Sequence, residues 1–247
     1  MTIGLIGYGR FGQLAARFLS RQSNVLVYDV HKIRRRLPGK NLKVESLSVV
    51  ASQKLVVLAV PISALLSTLR EIRPLVSPAA LVVDVCSVKL RPVQWMRRIL
   101  PRHVHILGTH PLFGPDSISR SLRNRKIVLC PVRIPDTLLQ KVIRVLRKEG
   151  MDVSLMNPSS HDRMAAETLL LTQYVGRLVY WTGVREWPRS TVHYEKLLDL
   201  VRVAEQDSVE LFRDMWIFNP HAGRVAEKLD AARKRLRHEL VVGGEHR

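Results

Sequence analysis

Six residues near the N-terminus, Gly7-Tyr8-Gly9-Arg10-Phe11-Gly12, restrict the fold more than any other part of the chain. They follow a short apolar run, residues 2–6, that reads as a strand. They open a stretch from Arg10 to Arg21 whose apolar residues Phe11, Leu14, Ala15, Phe18 and Leu19 recur at the spacing of a helix with one buried face. A second strand, Val25–Val30, contains the acid Asp29 near its end. A strand, a G-x-G-x-x-G turn, a helix, a second strand and an acid in that order form the dinucleotide-binding fingerprint. The glycines differ in what they allow. Gly7 permits the tight turn, Gly9 the close approach of backbone to a pyrophosphate, and Gly12 the packing of helix on strand. The helix N-terminus adds unpaired N–H groups and a positive dipole end.

The cofactor set read from this region is Gly7, Tyr8, Gly9, Arg10, Phe11, Gly12 and Asp29, with Val60 and Pro61 at the end of a later strand. Asp29 suits the adenosine ribose hydroxyls and so favours NAD. His31, Lys32 and Arg34–Arg36 lie just past it, and arginines there can hold a 2′-phosphate, which keeps NADP open.

Further apolar strands are expected at Leu55–Val60, Leu81–Val85, Val104–Leu107, Lys126–Cys130 and Asp152–Leu155. Helical stretches fall between several of them, notably Ile62–Arg73, Val88–Leu100 and Asp136–Glu149, the last ended by Gly150. This alternation implies a parallel sheet covered on both faces. After Asn157-Pro158 the strand pattern stops and long helices follow, at about 159–183, 191–213 and 220–240. The fold class is therefore α/β: a doubly wound Rossmann domain over 1–155, then an all-α helical substrate and dimerisation domain over 156–247. The apolar stripes of the first two long helices exceed what a small domain needs, so a homodimer is expected through that half. Trp181, Trp187 and Trp216 read as core or dimer contacts within helical segments.

The 247 residues carry a net charge of +19, with basic clusters at Lys32 and Arg34–Arg36, Arg120 to Lys126, and Arg233 to Arg237. No aromatic residues interleave with them as a base-stacking platform requires, so nucleic acid is not the expected main partner. Cys86 and Cys130 both sit in apolar runs and read as reduced core thiols of a reducing compartment. The longest apolar stretch, Leu55 to Leu66, is too short to span a bilayer and contains Pro61. The N-terminus has neither a basic leader nor a cleavage pattern. The expectation is a cytoplasmic protein without a membrane anchor. His103 and His105 lack a nearby acid or cysteine and give no metal site.

Three later segments, Asp84-Val85-Cys86-Ser87-Val88-Lys89, Gly108 through Pro115, and His161-Asp162-Arg163 continuing to Thr172, resemble the TyrA family, the prephenate and arogenate dehydrogenases of tyrosine biosynthesis. A fourth, Tyr194 to Leu200 with Asp207-Ser208 and Asn219, is similar to the plant-type arogenate dehydrogenase branch. The resemblance implies oxidative decarboxylation of prephenate or arogenate with hydride transfer to NAD(P); with nothing left after the helices, neither a regulatory nor a chorismate mutase domain is expected. It implies that His110 is the catalytic acceptor of the substrate hydroxyl and that Ser87 shares that hydroxyl. It also implies that His161 and Asp162 face the substrate. Asp116 and Gln173 join them as substrate-binding candidates.

Elementary chemistry agrees with these roles. Forming a ring carbonyl as hydride departs requires an acceptor for the hydroxyl proton, and an unperturbed imidazole titrates near neutrality. Ser87 also reads as an N-cap for the helix beginning near Val88, Lys89 as surface, and Ser159 or Ser160 as the start of the next helix. The chain departs from the family pattern at Cys86, where glycine is common, and at Gln173, where a histidine follows Thr172. It departs again at Val192, where the plant-type members have a basic residue; Arg185 and Arg189 stand close by in sequence. Two other readings remain: another NAD(P)-dependent small-molecule dehydrogenase, and a non-catalytic dinucleotide-sensing protein that binds nucleic acid through its basic surface.

Overall fold

The computed structural model describes residues 1–33, 37–118 and 121–242. Contacts divide the chain into two compact units, Met1–His161 and Asp162–Arg247. The first is built on one eight-stranded sheet. Its strands are β1 (Thr2–Ile6), β2 (Asn24–Tyr28), β3 (Leu42–Val44), β4 (Leu55–Leu58), β5 (Leu81–Asp84), β6 (His105–Pro111), β7 (Lys126–Arg133) and β8 (Asp152–Leu155), in the order β3-β2-β1-β4-β5-β6-β7-β8. The helices that connect or flank them are α1 (Arg10–Leu19), α2 (Leu47–Ala51), α3 (Ile62–Ile72), α4 (Leu90–Ile99) and α5 (Asp136–Lys148).

The order reverses between β1 and β4. This is the switch point where doubly wound sheets open a crevice at the carboxyl ends of their strands. Val25, Val27, Leu58, Leu107 and Leu129 are wholly buried, as expected for strands covered on both faces.

The sheet is not parallel throughout. β7 runs antiparallel to β6, and β8 is parallel to β7. Residues 112–125 supply no crossover helix, only the single 3-10 turn Pro115–Ser117 among the described residues. A parallel return usually runs through a crossover helix; here the chain doubles back instead. The same event lengthens β6. It continues to Pro111 because β7 supplies hydrogen-bonding partners up to that residue, pairing His110 with Val128. His110 therefore lies within a strand and not in a loop beyond Leu107.

The second unit is helical. The helix begun by α6 (Pro158–Ala165), which starts in the first unit, continues through a π-helical stretch at Ala166–Leu170 into α7 (Leu171–Trp181). Then come α8 (Val192–Gln206), α9 (Val209–Phe218) and α10 (Ala222–Val242). The expected helix over 191–213 is two helices. Ser208 leaves helical geometry and caps α9, its Oγ accepting from Leu211 N–H at 3.1 Å. Gly176 has no room for a side chain, since a Cβ there would lie 2.6 Å from that of Ala204, so α7 and α8 pack backbone to backbone. Trp187 lies outside any helix, and both it and Trp181 are exposed. Among the described residues no helix is long and apolar enough to cross a membrane.

Candidate functional site

Two constellations at the carboxyl edge of the sheet carry chemistry. The first is the glycine turn between β1 and α1. Gly7 has φ +96°, and a Cβ on it would stand 2.5 Å from the Ala59 carbonyl oxygen. The turn after β1 thus presses against the turn after β4, which carries Val60 and Pro61. Gly12 sits against the Gly7 carbonyl, 2.1 Å from where its own Cβ would be. Gly9 meets nothing within 4 Å. It is the N-cap of α1 and makes no side-chain cap, so the positive end of the α1 dipole lies at this turn, as anion binding requires.

The turn borders a cavity of about 660 Å³ whose lining includes Tyr8, Gly9, Arg10, Arg17, Asp29 and Lys32. Asp29 ties this cradle together. One carboxylate oxygen accepts from Tyr8 N–H at 2.6 Å and the other from His31 N–H at 2.8 Å. Each carboxylate oxygen keeps a second lone pair for a ribose hydroxyl. Open backbone at Gly9, a bare helix N-terminus and an anchored acid beside a cavity fit a dinucleotide. Asp116 comes to this edge too, paired with Arg10 at 2.5 Å. Phe11 faces Phe113 with ring centroids 6.4 Å apart. Arg34–Arg36 lie outside the described residues.

The second constellation centres on His110. Asp84, the last residue of β5, pairs with Gly108 of β6, so Ser87 and His110 both lie beyond the last position at which β5 and β6 pair. His110 is buried, and its Nδ1 lies 2.8 Å from Nε2 of His161. The two rings meet edge-on at 67°. His161 is fixed by the start of α6. Asn157 caps that helix, accepting Ser160 N–H on its side chain at 2.9 Å and His161 N–H on its carbonyl at 3.0 Å. The helix therefore begins before Ser159, and His161 stands at the end of its first turn.

Beside this pair is a buried ion pair that sequence reasoning missed. Lys89 is not the surface residue its sequence context suggests. Both its side chain and that of Asp84 are wholly buried, and its ammonium donates to an Asp84 carboxylate oxygen. It also donates to the Thr109 carbonyl at 2.5 Å, while Thr109 Oγ1 donates to the Asp84 carbonyl at 2.7 Å. The available signal is the spacing Asp84-x-x-x-x-Lys89 across a strand end and a helix start. Lys89 itself occupies the N-cap of α4, whose first residue is Leu90, so Ser87 is not the cap; it is half-buried in the turn before it. Gly108 makes room for the pair: a Cβ there would come 3.0 Å from a Val93 methyl and 3.5 Å from an Asp84 oxygen.

Electrostatics follow from burial. Desolvation, then His161, then the Lys89 charge hold the His110 pKa well below the ordinary histidine value. His110 is therefore neutral at working pH, a correction to the unperturbed imidazole expected from sequence. A neutral imidazole presents one N–H and one lone pair, so it suits hydrogen-bond acceptance from a hydroxyl.

Two other predicted substrate residues belong to the helical unit. Asp162 is wholly buried, and its carbonyl accepts from the Asn219 side chain at 2.9 Å. Gln173 is buried in α7. Its amide N–H donates to Asp207 at 2.6 Å, and its Oε1 has no hydrogen-bond partner among the described residues.

A doubly wound sheet with an open glycine turn at its switch point, followed by a helical unit, defines a Rossmann-type nucleotide-binding fold. Comparison with known proteins makes this particular. Residues 16–155 match the family described as prephenate dehydrogenase, nucleotide-binding domain. The match covers more than half of the chain, which belongs to that family. Residues 181–246 match a second description, TYRAAT1-like, C-terminal domain. Arogenate dehydrogenase 2 of Arabidopsis thaliana, a chloroplastic protein, is 37% identical over 167 residues, 66% of this chain and 47% of that protein. Arogenate dehydrogenase 1 of the same plant, also chloroplastic, is 31% identical over 266 aligned positions, 97% of this chain and 39% of that one. The chain thus spans about half or less of the length of these relatives. Among solved structures, prephenate dehydrogenase from Aquifex aeolicus with hydroxyphenyl propionate and NAD+ superposes with a TM-score of 0.80 at 21% identity, covering 99% of this chain and 92% of that one. That likeness concerns the fold.

Proposed function

We propose that the chain is an NAD(P)-dependent dehydrogenase that oxidatively decarboxylates a cyclohexadienol of the prephenate or arogenate type. The observation that carries this reading is a buried, neutral His110 at the sheet edge, in a chain whose nucleotide-binding domain belongs to this family. The glycine turn and Asp29 would hold the cofactor, which when bound accepts the hydride leaving the hydroxyl-bearing ring carbon. His110 takes the hydroxyl proton as the carbon–oxygen double bond forms, and Ser87 shares the same oxygen. When the bond to the carboxylate breaks, its electrons make the ring aromatic, carbon dioxide departs, and His110 returns the proton to the phenolic oxygen. Acid–base help of this kind is worth about 10²–10⁴-fold.

His161, Asp162, Asp116 and Gln173 are the proposed substrate-binding residues. Gln173 has the most specific support, because its unpartnered amide oxygen is an acceptor for an ammonium group. The division into a nucleotide-binding domain over 1–155 and a substrate and dimerisation domain over 156–247 is part of the same reading. A homodimer through the helical unit is supported by exposed Leu178, Tyr180, Trp181, Val209 and Ile217, and light scattering tests it. Cytoplasmic placement is supported by Cys86 and Cys130, both buried thiols.

The direct test is purified protein with NAD or NADP and either cyclohexadienol, followed by absorbance of the reduced nicotinamide. His110→Ala should abolish most of the turnover.

A further inference from the structure

The contact between His110 Nδ1 and His161 Nε2 has a chemical consequence for the proton that must leave the substrate. Neutral imidazole holds one N–H and one lone pair, so the 2.8 Å contact exists in two forms. In one, His110 Nδ1–H donates to His161 Nε2, and Nε2 of His110 keeps its lone pair. In the other, His161 Nε2–H donates to His110 Nδ1, and Nε2 of His110 carries the hydrogen. Only the first form can accept a hydroxyl proton, because Nδ1 is turned to His161 and Nε2 is the nitrogen left over. An isolated neutral histidine side chain favours the opposite tautomer, with hydrogen on Nε2. A histidine base of this geometry therefore needs an acceptor at Nδ1, since the partner of one ring nitrogen decides where the proton sits on the other.

The usual acceptor in that role is a carboxylate or a backbone carbonyl. Here the atom at hydrogen-bonding distance is another imidazole nitrogen. In the nearby carboxylate of Asp84, it is Oδ2 that accepts from both Lys89 and Cys86 N–H. A carboxylate at Nδ1 would draw positive charge onto His110, whereas a neutral imidazole orients it without doing so.

We propose that His161 is the positioning residue for His110: its Nε2 accepts the Nδ1–H of His110 and thereby holds the His110 Nε2 lone pair ready for a substrate hydroxyl. The inference rests on the dehydrogenase reading for its purpose, but the tautomer itself is a property of the ligand-free protein. Burial and the Lys89 ammonium favour the neutral ring that this arrangement needs. His161 has its own rigidity from the Asn157 cap, so the acceptor is held in place before any substrate arrives.

The experiment is ¹⁵N–¹H correlation spectroscopy of histidine-labelled full-length protein near neutral pH, with assignments from the single-histidine variants. The expected spectrum gives His110 a protonated Nδ1 and an unprotonated Nε2. In His161→Leu the His110 signals should move to the Nε2–H form. His161→Gln, whose amide oxygen can accept the same N–H, should keep the wild-type tautomer. With substrate, His161→Leu should lower kcat about 100-fold with little change in KM, and His161→Gln should recover to within about tenfold of wild type, effects in the range of acid–base catalysis.

A protonated Nε2 on wild-type His110, or a His161→Leu spectrum unchanged at His110, overturns the proposal. The wild-type spectrum decides even if His161→Leu does not fold. Absence of turnover with the tautomer as stated overturns the dehydrogenase reading and leaves the His110–His161 assignment standing.

Discussion

The ammonium of Lys89 is enclosed between the carboxylate of Asp84 and the carbonyl of Thr109, one residue before His110, with no solvent at either charged side chain. A buried charge pair of this kind is costly to break and cheap to replace whole. Lys89→Met should therefore destabilise the protein by about 3–5 kcal/mol, because it strands the Asp84 carboxylate. The double variant Asp84→Asn with Lys89→Met should recover much of that loss. Urea unfolding of the three proteins measures both; equal loss in the single and double variants would show that the pair is not what stabilises this corner.

The lowered pKa of His110 gives stability a definite pH dependence. In the unfolded chain this histidine titrates at about 6.5. In the folded protein it stays neutral to well below that. Between the two values the unfolded state binds the extra proton, so stability contributed above about pH 6.5 is lost as pH falls toward the folded pKa. His110→Asn should flatten that part of the stability curve relative to wild type. The acid limb of kcat/KM should likewise lie below the ordinary histidine range.

The glycine turn separates packing from binding. Gly12→Ala would drive a Cβ into the Gly7 carbonyl, and should cost about 3 kcal/mol, the upper end of overpacking. Gly9→Ala meets open space and should change stability by no more than about 1 kcal/mol, as for a weakened N-cap. It should still weaken dinucleotide binding at least tenfold, about 1.4 kcal/mol, if the pyrophosphate passes over Gly9. Thermal melts with and without cofactor distinguish the two effects.

Much of this is legible in the chain, for reasons that differ by residue. Gly7, Gly9, Gly12 and Asp29 are readable because the fingerprint is local: strand, turn, helix and strand lie within thirty residues or so. Asp136–Lys148 and Gly150 are readable for the same reason. The antiparallel step from β6 to β7 is not, because strand direction depends on what fills residues 112–125. His110 is picked out by its motif. Its neutrality is hidden, since burial, His161 from fifty-one positions away and Lys89 set it together. Lys89 itself violates the expectation that lysines stay exposed. Only a partner such as Asp84 permits the exception.

Cofactor choice should turn on Asp29. Asp29→Asn removes the charge that suits a ribose diol and opposes a 2′-phosphate, while Lys32 and Arg17 still line the cavity. Affinity for NAD should fall about tenfold relative to NADP, a shift of about 1.4 kcal/mol in the difference. Calorimetric titration of both dinucleotides into wild type and variant measures it; an unchanged ratio would mean that Asp29 only braces the Tyr8 and His31 amides.

The account stands most directly on coupled product formation at His110. Carbon dioxide and reduced nicotinamide should be measured together, with prephenate and with arogenate, in wild type and in His110→Asn. One of the two substrates should give the two products in equal amounts, with the variant slower by about 100-fold or more. No carbon dioxide from either substrate, or a His110→Asn variant as fast as wild type, would contradict it.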